Sequence, residues 1–223
     1  MTVKNKRPSM EPVSDLTAGR LSVYLRCLTM LAAAGVKTTS SKALAAQFHL
    51  NAAQIRKDLA YFGEFGVRGV GYYVADLKTH LRAILGLDRP VRVAILGAGN
   101  LGLALADYQG FQQEGFAIIG LFDVAAHKVG GKSRQGVPIH DLAEFQRCAH
   151  AGEIDIAVVA VPADAAQQVV DMAVACGVRA ILNFSPGALK VGPGIKLKNV
   201  DLTVSLESLS FFLARGGGDV PDA

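Results

Sequence analysis

Cysteine is scarce in this chain. The three that occur, Cys27, Cys148 and Cys176, are far apart and odd in number, and no CxxC or Cys/His cluster accompanies them. That pattern argues against a disulfide-stapled scaffold or a zinc site and fits a reducing compartment, where the thiols stay reduced and inert. Long apolar runs are missing too. The longest, around Ile154 to Pro162, falls well short of the ~20 residues a membrane-spanning helix needs. The first residues, MTVKNKRPSMEP, are polar and basic with no apolar core behind them, so no secretory leader is expected. Together these absences point to a cytoplasmic protein with neither membrane nor metal among its partners. Charged residues make up 19% and hydrophobic residues 51% of the 223, which rules out disorder as the dominant state. The length gives room for one large domain or two small ones.

Charge is divided unevenly along the chain. Residues 1–89 hold 13 Lys and Arg against 6 Asp and Glu, a net +7, whereas residues 90–223 are net −3. A basic module joined to an acidic one implies two modules with different partners. The pattern changes at the same place. Leu87-Asp88-Arg89-Pro90 reads as a short turn, helical periodicity precedes it, and the β-branched run Val91–Leu96 follows it as a buried strand. The expected organisation is a tail at 1–16, a basic, mainly helical domain at 17–89, an acidic domain opening on a strand at 90–204, a helix at 205–215 and a flexible tail at 216–223.

In the basic module, Leu21, Tyr24, Leu25, Leu28 and Leu31 recur at helical spacing within a helix over 17–34 that Gly35 ends. Ser40 and Ser41 offer caps for a short helix over 42–48, and Asn51 caps a third over 52–62 that ends at Gly63. Two short helices joined by a tight turn suggest a helix-turn-helix. On the third helix Ile55, Leu59 and Phe62 form the seating face. Gln54, Lys57 and Tyr61 fall elsewhere, with Arg56 and Asp58 flanking. Gln and Lys can read base edges, and Arg, Lys and Tyr can hold phosphates. The plainer alternative is a solvated helix face. Glycines at 63, 66, 69 and 71 among β-formers read as a tight hairpin over 63–74, which after a helix-turn-helix is a wing. Arg68 at its tip suits a narrow minor groove, or is simply an exposed turn residue. A connecting helix over 76–85 completes the module.

The second module opens with strand 91–96 running into Gly97-Ala98-Gly99-Asn100-Leu101-Gly102 and then a helix over 103–111. That is GxGxxG with a strand before it and a helix after it. Gly97 permits the turn, Gly99 lets backbone approach a pyrophosphate, and Gly102 lets helix and strand pack closely. Free N–H groups at the helix start face the phosphates. A strand over 116–122 ends at Asp123, where an acid meets the adenosine ribose hydroxyls; a carboxylate there repels a 2′-phosphate and favours NAD(H) over NADP(H). A helix over 141–150, a strand over 154–161, a helix over 163–176, a strand over 178–184 and a last strand near 200–204 continue the alternation. The expected fold class is α/β, a winged helix-turn-helix domain followed by a Rossmann-type, doubly wound parallel sheet. Ligand is expected outside the carboxyl ends of the strands, near residues 97–102, Asp123, Pro162, Asn183 and Phe184. Leu206, Leu209, Phe212 and Leu213 lie on an apolar terminal helix, expected to be capped by Ser205. It must bury against its own sheet or a partner subunit; a helix-turn-helix reading a palindrome favours a dimer.

The segments YLRCL at 24–28, QIRKDLAYFGEFGVRGVGY at 54–72, GAGNLGLALADYQGF at 97–111, FDV at 122–124, LNFSP at 182–186 and NVDLTVSLESLSFFL at 199–213 run in order through residues 17–215. In them the chain resembles the redox-sensing transcriptional repressors of the Rex family. One local difference is Ser185, in a stretch often read as NFAP. The resemblance implies a homodimer on an inverted-repeat operator in double-stranded DNA, released by NADH, with NAD⁺ competing for the same site. It implies that Gln54, Arg56, Lys57 and Tyr61 face the major groove and that the wing, with Arg68, Gly69 and Tyr72, faces the minor groove. Gly97, Ala98, Gly99, Asn100, Leu101, Gly102, Asp123, Tyr108, Pro162, Asn183 and Phe184 would hold the dinucleotide. Arg26, Tyr108 and Asp201 would form a switch triad, and the terminal helix would be swapped between subunits. An apolar pocket, for which Phe184, Pro162 and Leu202 are candidates, would penalise the cationic ring of NAD⁺ by desolvation and so favour NADH. Two other readings remain. One is an NAD-dependent dehydrogenase, disfavoured because no substrate domain is left and no proton-transfer pair is evident. The other is a DNA-binding sensor of another adenine nucleotide, such as coenzyme A or NADPH.

Overall fold

The computed structural model describes residues 13–215. It divides at Arg89/Pro90 into two compact units. The expected tail at 216–223 lies outside the described residues, as do residues 1–12 of the expected N-terminal tail.

The first unit is built from α1 (Asp15–Ala33), β1 (Thr38–Thr39), α2 (Ser41–Phe48), α3 (Ala52–Phe62), β2 (Tyr72–Tyr73) and α4 (Val74–Ile84). The first helix starts earlier than periodicity suggested. The hydroxyl of Ser14 accepts the N–H of Thr17, so Asp15 and Leu16 are helical rather than tail. Ser40 caps α2, and Asn51 caps α3 by accepting from Ala53 and Gln54. Buried Leu21, Tyr24, Leu25, Leu28 and Leu31 form the inner face of α1. Leu44, Ile55, Leu59, Val74, Leu77 and Leu81 supply the rest of this core. Each such leucine removed from water contributes roughly 1.5–3 kcal/mol.

The glycine-rich segment is not a simple hairpin. Its strand β2 pairs antiparallel with β1, upstream of α2, rather than with residues just before it. Gly71, at φ +93°, explains the arrangement, because a side chain there would strike the Thr39 carbonyl oxygen. The tip is a tight turn. Val67 and Gly71 exchange backbone hydrogen bonds at 2.7 and 2.9 Å, with Arg68 exposed and Gly69 at φ +80°.

The second unit contains a six-stranded sheet: β3 (Val91–Leu96), β4 (Phe116–Asp123), β5 (Ile139–Asp141), β6 (Ile156–Val159), β7 (Ala180–Asn183) and β8 (Lys196–Asn199). Its order is β5-β4-β3-β6-β7-β8, with every pairing parallel. Helices α5 (Asn100–Ala106), α6 (Gln109–Gln113), α7 (Leu142–His150) and α8 (Ala163–Ala175) lie between strands, and α9 (Leu202–Ala214) follows β8. Successive residues of β3 feed two cores. Val93 and Ile95 join one with Ala106 and Leu121, while Ala94 and Leu96 join the other with Phe122, Phe145 and Val170. A strand buried on both faces must be apolar throughout, which explains the unbroken run.

Three expectations are corrected here. The helix over 103–111 is two helices: the chain breaks at Asp107-Tyr108, where Tyr108 turns extended and the Asp107 carboxylate accepts the N–H groups of Arg134 and Gln135. Strand β5 was not anticipated. The last strand lies at Lys196–Asn199 rather than near 200–204, because Asp201 caps α9 by accepting from Thr203 at 2.8 Å and Val204 at 3.4 Å. Asp201 therefore replaces Ser205 as the cap, and the terminal helix begins at Leu202.

Candidate functional sites

The strand order reverses at β3, whose neighbours are β4 and β6, and a cleft opens beyond the carboxyl ends of these strands. It has a volume of about 550 Å³ and is mainly apolar, with Asp123, Lys128 and Gln168 as polar side chains. Gly97, Gly99, Asp123 and Pro162 from the expected set line it. Val124, Leu142, Val161, Val169 and Met172 complete its walls.

The three glycines have separate reasons. At Gly97 (φ +107°) a side chain would lie 2.5 Å from the Ala160 carbonyl oxygen, and at Gly102 one would strike the Gly97 carbonyl oxygen. Both are demanded by the fold. At Gly99 no atom lies within 4 Å of an added Cβ, and its φ is −81°. The protein leaves that space open, as a site for a closely approaching pyrophosphate requires. Gly99 is also the cap position of α5, with Asn100 and Leu101 exposed at the start of the helix.

Asp123 Oδ2 accepts the Ala98 N–H at 2.8 Å and the Lys128 ammonium at 2.9 Å, and Oδ1 accepts the Ala125 N–H at 2.9 Å. Burial pushes this carboxyl up, but the Ala125 N–H, the Lys128 ammonium and the Ala98 N–H outweigh it and hold the pKa below the usual range. The site thus keeps an ionised acceptor beside the glycine-rich turn. Sequence reasoning missed Lys128. Its signal was an amine five residues past the acid.

Other expected residues lie elsewhere. Asn183 is wholly buried; it donates to the Ser185 carbonyl and to Asn199 Oδ1, and accepts the Ser185 N–H. The Ser185 hydroxyl donates to the Val161 carbonyl at 2.6 Å. These bonds brace the ends of β6, β7 and β8, so the Ser-for-Ala difference adds a tie. Phe184 packs against the core of the α5 face, and Leu202 is exposed at the start of α9. Neither lines the cleft with Pro162. Tyr108 is 60% exposed, its ring edge-on to Phe111 at 5.0 Å. Asp201 spends its carboxylate on the α9 cap, and Arg26 is exposed on α1.

The second candidate surface is α3. Arg56, Lys57 and Tyr61 are exposed and Gln54 is half-buried. Arg56 donates to the Ser41 hydroxyl at 3.1 Å and so also ties α3 to α2. Behind this face the Asp58 carboxylate, 4% exposed, is held by Arg20, Tyr24 and Gln54. The Arg20 hydrogen bond, opposed by burial and joined by the bonds from Gln54 and Tyr24, keeps it below the ordinary carboxylate value. Tyr24 is pushed up by burial and by Asp58, so it remains a donor. Among the described residues no His, Cys, Asp or Glu cluster could hold a metal ion, and no helix is long and apolar enough to cross a membrane.

Residues 88–187 match the family model "CoA binding domain" and residues 12–60 match "Putative DNA-binding protein N-terminus". The chain is 52% identical over 202 residues to the redox-sensing transcriptional repressor Rex of Syntrophomonas wolfei, covering 91% of this chain and 96% of that protein. It is 45% identical over 199 residues to the Rex of Desulfitobacterium hafniense, covering 89% and 94%. The crystal structure of RSP in complex with β-NAD⁺ and operator DNA superposes with a TM-score of 0.86 at 39% identity, over 92% of this chain and 94% of that one. RSP in complex with β-NADH superposes with a TM-score of 0.80 at 38% identity, over 92% and 96%. With these relatives matched over most of both chains, the chain belongs to the Rex family of redox-sensing transcriptional repressors.

Proposed function

We propose that this chain acts as a homodimer on an inverted-repeat operator and is released when NADH occupies the cleft of the second unit, with NAD⁺ competing for that cleft. The observation that carries the reading is Gly99. The protein needs no glycine there, yet the space beside it is empty and adjoins an ionised carboxylate. The α3 side chains Gln54, Arg56, Lys57 and Tyr61 enter the major groove, and the turn at Arg68 and Gly69, with Tyr72, follows the minor groove. Gly97, Ala98, Gly99, Asn100, Leu101 and Gly102 hold the pyrophosphate, Asp123 the adenosine ribose, and Pro162 the cleft wall. Tyr108 and Phe184 mark the nicotinamide side, and Asn183, wholly buried, braces the strand ends behind it. Arg26, Tyr108 and Asp201 relay its redox state.

The dimer rests on α9. Leu202, Val204, Leu206, Leu209, Phe211, Phe212 and Leu213 are all exposed on it. A helix that exposes this much apolar surface cannot stay in water, and a second copy of itself, swapped into place, buries it. Such a DNA-reading protein works in the cytoplasm. A dehydrogenase reading has less support, because the relatives that match most of this chain are transcriptional repressors.

The test is fluorescence anisotropy of a labelled palindromic operator at one fixed salt concentration, titrated with protein and then with NADH or NAD⁺ separately. Fixed salt matters because phosphate contacts make affinity steeply salt-dependent. Release by NADH at far lower concentration than NAD⁺ supports the reading. Binding indifferent to both nucleotides overturns the sensor half of it.

A further inference from the structure

The Asp58 carboxylate accepts four hydrogen bonds. Oδ2 takes the Arg20 Nε–H at 2.6 Å and the Tyr24 hydroxyl at 2.9 Å, and Oδ1 takes an Arg20 Nη2–H at 2.8 Å and a Gln54 Nε2–H at 2.7 Å. Two acceptor directions per oxygen are thereby filled. The group is buried and anchored to α1 by two residues, so it cannot turn to follow Gln54. Gln54 is the third residue of α3, in the first turn after the Asn51 cap, where recognition helices reach base edges. It borders an open depression of about 250 Å³ shared with Lys57 and Tyr61.

An ionised carboxylate can only accept, so it takes the nitrogen end of the Gln54 amide and never the oxygen end. The depressed pKa keeps Asp58 ionised at neutral pH. Where the Nε2 proton pointing away from Oε1 is the one committed inward, the Oε1 acceptor and the second Nε2 proton remain side by side. Adenine presents the complement in the major groove, an N6 donor beside an N7 acceptor; guanine presents two acceptors there.

Resting on the proposed role of α3 in the major groove, we infer that Asp58 is a positioning residue that locks the Gln54 amide in the one orientation able to read adenine bidentately. Gln54 is thus committed to one base before DNA arrives. Arg20 and Tyr24 act through Asp58, tying specificity at that step to the packing of α1 on α3.

The test starts from a duplex library randomised within one half-site, bound by wild type, Gln54→Ala and Asp58→Asn and sequenced. The step that Gln54 reads is the one at which Gln54→Ala flattens the preference. At that step wild type should prefer adenine by about tenfold or more, the discrimination a bidentate pair supplies. Asp58→Asn should lose most of that preference while keeping the preferences at other steps. Operators with 7-deazaadenine, lacking N7, or with purine, lacking the N6 amine, at that step should each bind wild type about tenfold more weakly. These analogue measurements use wild-type protein and stand whether or not Asp58→Asn folds. A preferred base other than adenine, an unchanged preference in folded Asp58→Asn, or full tolerance of either analogue overturns the inference while leaving α3 as the reading helix. If Gln54→Ala alters no step, the assigned role of Gln54 in α3 is wrong and the inference falls with it. If wild type selects no sequence at all, the DNA-binding proposal itself fails.

Discussion

The Lys128 ammonium lies 2.9 Å from Oδ2 of Asp123 and neutralises part of the charge that the carboxylate presents to the cleft. A lone carboxylate repels a 2′-phosphate; a carboxylate with a lysine beside it repels it less, and removal of the acid leaves a cation to attract one. Asp123→Ser should therefore weaken NADH binding by about tenfold or more and bring NADPH to comparable affinity, through the retained Lys128. Titration of nicotinamide fluorescence with each cofactor measures both. NADPH affinity that stays negligible in the variant would remove Lys128 from the selectivity.

Gly99 and Gly102 separate ligand demands from fold demands. Gly99→Ala meets open space at an ordinary backbone conformation, so its unfolding midpoint should stay within about 0.5 kcal/mol of wild type while dinucleotide affinity collapses. Gly102→Ala should instead lose stability, because its Cβ strikes the Gly97 carbonyl. Chemical unfolding and NADH titration of the two variants check the pair. Unimpaired NADH binding by Gly99→Ala would mean that the pyrophosphate lies elsewhere.

Asp58 gives the first unit an acid-sensitive anchor. Its folded pKa lies below its unfolded value near 4, so the stability it contributes is fully present above about pH 4. That stability is lost as pH falls through the lowered folded pKa. Asp58→Asn should cost on the order of 2 kcal/mol at pH 7, less than the ~3–5 of a fully buried pair because Arg20 is a third exposed. The gap between wild type and variant should narrow below pH 4. Urea unfolding at pH 7 and pH 3 measures it, and a gap that does not change with pH would contradict the ionised network.

Much of this was legible in the sequence because it depends on local spacing. Leu21, Tyr24, Leu25, Leu28 and Leu31 are the buried face of α1, and Gly97, Gly99 and Asp123 meet in one cleft. What escaped depends on tertiary contacts. Strand β5 has three residues, Ile-His-Asp, too few for periodicity to register. The break at Tyr108 follows from Asp107 bonding to Arg134 and Gln135, a contact across 27 and 28 positions. Val200-Asp201-Leu202-Thr203-Val204 alternates like a strand, yet an Asp before two free N–H groups is also a helix cap, and the cap prevails. The Asp58 network was invisible because Asp58 looks like one more polar residue on α3, and only the fold brings Arg20 and Tyr24 to it.

The terminal helix makes a sharp claim about assembly. Leu209 is 61% exposed on α9 in the single chain. Leu209→Asp should place a charge in any interface formed by that helix, converting a dimer to monomers at micromolar concentration and abolishing tight operator binding with it. Sedimentation equilibrium of wild type and variant decides. A variant that remains dimeric would place the dimer interface on a surface other than the Leu209 face of α9.

Coupling between nucleotide and operator is bound by reciprocity. A nucleotide shifts the protein only by its difference in affinity for the DNA-bound and free states. If NADH lowers operator affinity about 100-fold, operator must lower NADH affinity by the same factor, a coupling of ~2.7 kcal/mol. Tyr108 tests where the coupling resides. Its ring is exposed and outside the glycine-lined cleft, so Tyr108→Phe should leave NADH affinity of the free protein within about twofold while the coupling falls several-fold. The four affinities, operator with and without NADH and NADH with and without operator, close a thermodynamic box for each protein. Equal coupling in wild type and Tyr108→Phe would place the relay on other residues, whereas reduced coupling with intact NADH affinity would assign the Tyr108 hydroxyl to communication rather than binding.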